Sequence, residues 1–186
     1  MGQVNRMAFA LAELQSCLDV YKGLFQEKED ADILFLEFRE IGAALKKSLS
    51  TNLIIGCAAL FTDPEKSFGS ENMSFNNLYA RYENKLAPDT NALRDNINKN
   101  LQLMNLKLFR NKLVGHFDLD AKLGKKLVDG YITTQALEDL IIDGQKMLNM
   151  IIRDAELRPT GNRLAFYTPI SESRSVKHFL QRITKN

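Results

Sequence analysis

Arg110-Asn111, then four residues, then His116 is the densest group of catalysis-capable side chains in this 186-residue sequence. His116 is one of only two histidines, and an imidazole titrates near neutral pH, so it can take or give a proton. The Arg110 guanidinium is a planar, permanently charged fork that matches a phosphate. Asn111 can orient either partner through its carboxamide. Together they suit phosphodiester chemistry in which an RNA 2′-hydroxyl attacks its own phosphate. One group handles the proton and another stabilises charge on the phosphorus oxygens. That reaction needs no metal.

Each residue also has a plainer role open to it. A guanidinium in an apolar helical seam is costly unless an anion or a set of acceptors meets it, or its stem is buried while its head reaches water. His116 can cap a helix C-terminus and satisfy the dipole there. On a continuous helix Arg110 and His116 would point roughly 120° apart. They converge only if the backbone leaves helical geometry near Gly115, or if two copies about a twofold share one cleft.

The elements that must position these residues are helices. Val4 to about Gln26 carries Met7, Leu11, Leu14, Leu18, Tyr21 and Phe25 at three- and four-residue steps, and Glu27–Asp30 reads as a polar connector. Ala31 to Phe61 keeps a helical period without proline. Unbroken it would be about 45 Å long, with Gly42 or Gly56 as places for a kink or close packing. Its second half, Leu53 to Phe61, is apolar nearly all round and predicts the central buried element. Thr62 to Met73 is a loop broken by Pro64 and Gly69. Ser74 caps a short helix to about Asn84, and Asp89 or Thr90 caps the next.

That next helix, Asn91 to Val114, has two apolar seams. Leu93, Ile97, Leu101, Met104 and Leu108 form one; Leu103, Leu106, Leu113 and Val114 form the other, with Arg110 in line. Gly115 ends it, and 117–132 reads as a loop. Asp118-x-Asp120 there is not an EF-hand, because Lys122 and Leu123 stand where that loop needs an oxygen ligand and a glycine. Thr133 or Thr134 opens a last long helix to about Arg153. Leu137, Leu140, Ile141, Met147, Leu148 and Ile151 face inward, and Gly144 permits a close helix contact. Past residue 154 the character changes: Pro159, Gly161 and Pro169 break the chain, and a short basic helix spans Val176 to Thr184, with His178 read as a surface residue. The fold class is all-α, an antiparallel bundle of four to five helices with an irregular basic C-terminal tail.

Composition is ordinary for a globular domain, 45% hydrophobic and 26% charged. The longest apolar run, Leu53 to Phe61, is far short of the roughly 20 residues that cross a bilayer. No signal-peptide pattern opens the sequence, so a cytoplasmic location without membrane attachment is expected. Cys17 and Cys57 read as small buried hydrophobes, with no disulfide, structural metal or cofactor expected. Net charge is +2 but uneven. Residues 107–126 hold six basic and two acidic groups, and 153–186 hold seven and three. This asymmetry points to a polyanion. Lys107, Lys112, Lys122, Lys125 and Lys126 are the accompanying RNA-binding candidates, although a solvated basic face would look the same.

Arg110-Asn111-Lys112-Leu113-Val114-Gly115-His116 resembles the signature of the HEPN superfamily: an arginine, a polar residue beside it, and a histidine a few residues on. Asp63 to Leu78 (DPEKSFGSENMSFNNL), following a long apolar helix and preceding a helix that ends RNKLVGHFD, resembles the abortive-infection branch of that superfamily. The likeness covers roughly Ala31 to Ile152. It implies a HEPN-like helical bundle over 1–154, with 155–186 as an extension packing on the bundle or a partner. It further implies a homodimer that cuts RNA without metal, as a toxin or phage-defence effector, with an antitoxin or a nucleotidyltransferase as a further partner. Arg110 and His116 then take the catalytic positions and Asn111 the polar one. Some members do not cut, so a catalytically silent dimerisation or nucleic-acid- or nucleotide-binding module is the alternative.

Overall fold

A computed structural model describes residues 2–114 and 132–157 together with Leu180. Among these the architecture is an all-α bundle with one minimal hairpin. Helix α1 spans Gln3–Phe25, α2 Lys28–Glu37, α3 Arg39–Thr62, α4 Phe75–Tyr82, α5 Pro88–Met104, α6 Leu106–Val114 and α7 Thr134–Asp154. A 3₁₀ turn, Glu83–Lys85, follows α4. Strands β1 (Lys66–Ser67) and β2 (Ser70–Glu71) pair antiparallel inside the loop after α3.

The core follows the helical periodicity. Met7, Leu11, Leu14 and Leu18 of α1 are buried, as are all six inward positions expected of α7. The apolar end of α3 is the central element: Leu53, Cys57, Ala58, Leu60 and Phe61 are buried between α1, α6 and α7. Burial pushes the Cys57 thiol up to about 12, with the neighbouring Cys17 adding to the rise. Both cysteines are free thiols. Ser74 caps α4 by accepting from the Asn77 backbone N–H at 3.2 Å, and Thr133 caps α7 by accepting from that of Ala136 at 3.0 Å.

Two expected helices are each divided. The segment from Ala31 to Phe61 breaks at Phe38, with φ −131° and ψ 46°, and neither Gly42 nor Gly56 is the break. α2 begins at Lys28, inside the polar stretch read as a connector. Gly42 instead gives α2 room, since an added Cβ would lie 3.2 Å from the Leu34 carbonyl oxygen. The second division is at Asn105, which adopts the left-handed conformation at φ 49° and ψ 33°. Asparagine tolerates that region better than most residues. The Asn105 N–H donates back to the Gln102 carbonyl at 3.2 Å, and its own carbonyl accepts from Leu108 at 2.9 Å and Phe109 at 3.1 Å. One residue thus closes α5 and opens α6. The bend dissolves the second seam: Leu106 is buried while Leu103 is 81% exposed, and Leu108 leaves the first seam for solvent.

The start of α5 also differs from expectation. Ala87 is the N-cap, with Pro88 in the first turn. Thr90, one of the two expected caps, is fully buried and donates to Asp154 Oδ2 at 2.5 Å, and that oxygen also accepts from the Ala87 N–H at 2.8 Å. Arg153 bridges Asp154 Oδ1 at 2.7 Å and Asp89, the other expected cap, at 2.9 Å. These bonds fasten the end of α7 to the start of α5. A second tie, Lys22 to Glu138 at 2.9 Å, joins α1 to α7. Leu180 is buried with Leu24 and Leu34 at the α1–α2 corner.

The closest helix contacts use glycine. An added Cβ at Gly56 of α3 would meet Leu14 Cδ2 at 2.6 Å, and one at Gly144 of α7 would meet Phe61 Cζ at 2.6 Å and Leu11 Cδ2 at 3.1 Å. Gly144→Ala should therefore cost about 1–3 kcal/mol through overpacking, read as a lower midpoint in urea. An unchanged midpoint would show that Phe61 can step aside.

The bonds from Arg153, then Thr90 and Ala87, hold the Asp154 carboxyl down to about 2. An unfolded aspartate titrates near 3.9. A lowered folded pKa contributes stability that is complete above the unfolded value and is lost as pH falls through the folded one. The melting temperature should thus decline between about pH 4 and pH 2, and Asp154→Asn should show a shallower decline. Parallel acid limbs in the two proteins would remove Asp154 as a contributor.

Candidate functional site

Asp63 caps the C-terminus of α3 in an extended conformation and begins the loop that leads to α4. That loop is cross-braced by carboxamides. Asn76 Nδ2 donates to the Asp63 carbonyl at 2.9 Å, Asn77 Nδ2 to that of Glu65 at 3.1 Å, and Asn72 Nδ2 to that of Pro64 at 2.8 Å. Gln3 of α1 donates to Asn77 Oδ1 at 2.8 Å. Phe61, two residues before Asp63, stacks on Phe75 with ring centroids 4.9 Å apart. The start of the loop is therefore held at both backbone and ring level. Its far end is the β1–β2 turn, where Phe68 and Gly69 both have positive φ, as a tight primed hairpin turn requires.

Arg110 lies on α6, which packs against α3. Its Nη1 donates to Asp63 Oδ1, forming an ion pair in which both side chains are about a quarter exposed (24% and 27%). Of the two arrangements open to this guanidinium, the one with an anion is present, and the head also keeps some contact with solvent. Arg110 Nε reaches Asn111 Oδ1 at 3.5 Å. The pair Arg110–Asn111 is thus brought together, with Asp63 as a third member that sequence reasoning missed. The signal for it was indirect: a cation in an apolar context needs an anion, but the partner is 47 residues away and only the packing of α6 on α3 selects it.

Lys107 and Lys112 are on the same helix, Lys107 exposed and Lys112 half-buried. His116, Lys122, Lys125, Lys126 and His178 lie outside the described residues, as do Gly115 and the Asp118-x-Asp120 stretch. Among the described residues no group of three or more His, Cys, Asp or Glu side chains could hold a metal ion. No helix of those residues is long and apolar enough to cross a membrane.

Beside Arg110 the α5–α6 bend opens a groove of about 610 Å³. Phe61, Leu101 and Leu106 supply apolar lining; Asn76, Asn98, Gln102, Asn105 and Asn111 supply carboxamides; Lys107 supplies the one cation. Sequence reasoning named Asn111 and Lys107 but not the other amides. A signal was present: residues 91–111 contain six asparagines. What periodicity could not show is the bend that turns two successive helices toward one cleft.

The chain matches no family model, no curated protein and no solved structure.

The Asp63–Arg110 contact predicts a measurable coupling. Exposed pairs contribute roughly 0.2–1 kcal/mol, and this pair is partly withdrawn from solvent. A double-mutant cycle of Asp63→Ala and Arg110→Ala should return about 1 kcal/mol in urea unfolding. Strictly additive single-mutant effects would show the pair to be energetically idle.

Proposed function

We propose that this chain is a metal-independent endoribonuclease of HEPN type, acting as a toxin or phage-defence effector, with its site at a homodimer interface. The observation that carries the reading is the placement of Arg110. Its guanidinium is steadied by Asp63, abuts Asn111, and stays partly open to solvent at the edge of a groove with no carboxylate in its lining. A phosphate approaching there finds a charged fork already oriented, which reduces the ordering cost of binding.

In the proposed reaction His116 takes the proton of an RNA 2′-hydroxyl. The 2′-oxygen bonds to the adjacent phosphorus, and the bond from phosphorus to the 5′-oxygen of the next nucleotide breaks. A proton returned to that 5′-oxygen completes the step, leaving a 2′,3′-cyclic phosphate and a 5′-hydroxyl. Arg110 stabilises the charge that grows on the non-bridging oxygens, and Asn111 orients the guanidinium or the phosphate. A twofold dimer would bring two copies of this set to one cleft. An antitoxin or a nucleotidyltransferase is the proposed further partner.

One observation favours a second reading. Asp63 already occupies part of the Arg110 fork, as it would in a purely structural ion pair. On that reading the chain is a catalytically silent HEPN-like module for dimerisation or for binding nucleic acid or a nucleotide.

Purified protein should cleave single-stranded RNA in the presence of EDTA, and His116→Ala and Arg110→Ala should each lower the rate by at least about a hundredfold, the scale of a lost acid–base or charge-stabilising group. Light scattering on the same sample should report a dimer. A dimer without RNA turnover, or variants that cut as fast as the parent, would leave the silent module standing.

A further inference from the structure

The groove at the α5–α6 bend has a composition that phosphate binding alone does not require. Asn98 and Gln102 stand one turn apart on α5, Asn105 is the bend itself, and Asn111 is one helical turn beyond Lys107 on α6. The Asn98, Gln102 and Asn105 side chains hydrogen-bond to no other described residue. Each carboxamide offers two N–H donors and an acceptor oxygen in one plane. That pattern pairs with the edges of heterocyclic bases, as when Asn or Gln binds adenine through two bonds. Beneath the amides, Leu101 and Leu106 give an apolar surface for a flat ring. A groove of this size, about 610 Å³, falls within the roughly 300–1,000 Å³ typical of small-molecule sites.

Charge narrows the ligand further. Lys107 is the single charged residue in the lining, so the groove suits a neutral planar group with one anion nearby. Asn111 lies both in the groove and against Arg110, so what sits in the groove adjoins what the guanidinium holds.

We propose that the α5–α6 groove seats an unpaired nucleobase of single-stranded RNA, adjacent to the phosphodiester that Arg110 contacts. Choosing RNA as the polymer rests on the nuclease reading; choosing a base as the group bound rests on the amides. Single-stranded RNA presents its bases splayed and unstacked, with their hydrogen-bonding edges free. The groove is then a specificity element: it selects single strands over duplex and favours the base whose edge the amides match.

The test is fluorescence anisotropy with the full chain carrying His116→Ala, in EDTA, against two labelled hexamers. One is a single-stranded oligoribonucleotide, and the other an abasic ribose-phosphate chain of equal charge. The base-bearing hexamer should bind about tenfold tighter or more, the scale of one well-made base contact. Asn98→Ala with Gln102→Ala and Asn105→Gly should close that gap while leaving the abasic affinity unchanged. Asn105→Gly removes the amide yet keeps the left-handed backbone accessible. If the triple variant does not fold, the exposed Gln102→Ala carries the test alone, with a loss of about threefold or more expected.

Equal binding of both hexamers, binding of neither, or a gap that survives the substitutions would overturn the proposal. Cleavage by the unsubstituted protein is scored separately. Base-dependent binding without cleavage keeps the groove and removes the nuclease; cleavage with base-blind binding does the reverse.

Discussion

Phe61 is the point on which the arrangement turns. Its ring occupies the space that any side chain at Gly144 would fill, and it stacks on Phe75 from the other side. One aromatic thus joins α3, α7 and α4. Because the interior is close-packed, a ring wedged between helices transmits position rather than absorbing displacement. Asp63 stands two residues further along, and Arg110 takes its orientation from Asp63. The placement of the guanidinium is therefore inherited from a hydrophobic contact in the core, through one turn of backbone and one ion pair. The same ring lines the groove beside it.

Much of the scaffold was legible because it rests on period and on caps. The α1 and α7 faces follow apolar residues at three and four steps, and Ser74 and Thr133 cap where short polar side chains precede such runs. The buried end of α3 follows from being apolar on every side. The divisions at Phe38 and Asn105 were not legible. Neither residue is a helix breaker by type, and each break exists because the next helix packs in a direction that a straight continuation would miss. Asn105 has a local rationale in its tolerance of positive φ; Phe38 has none that its sequence neighbourhood announces.

For the candidate site, local pattern and tertiary contact divide the same way. Arg110 and Asn111 are adjacent in sequence, and their proximity is a local fact. Asp63, Asn98 and Gln102 join them only through the packing of α6 on α3 and the bend after Met104. An apolar seam containing an arginine announces that a counter-charge is needed without saying where it comes from. The six asparagines between 91 and 111 announce polarity without direction; direction comes from the bend. Charge asymmetry, by contrast, was readable at once and concerns encounter with a polyanion more than the shape of the site.

The tie between Lys22 and Glu138 spans 116 positions of sequence, and α1 packs along α7 as well as α3. The central layer of the bundle is thus closed by elements distant along the polypeptide. During synthesis the apolar stripe of α1 would wait, half-covered, until α7 leaves the ribosome. Topologies of this kind pay loop-closure entropy before their contacts form, and they expose sticky intermediates meanwhile. A nascent bundle of this design would stay a client of chaperones until translation is nearly over, and the groove beside Arg110 would take shape only then.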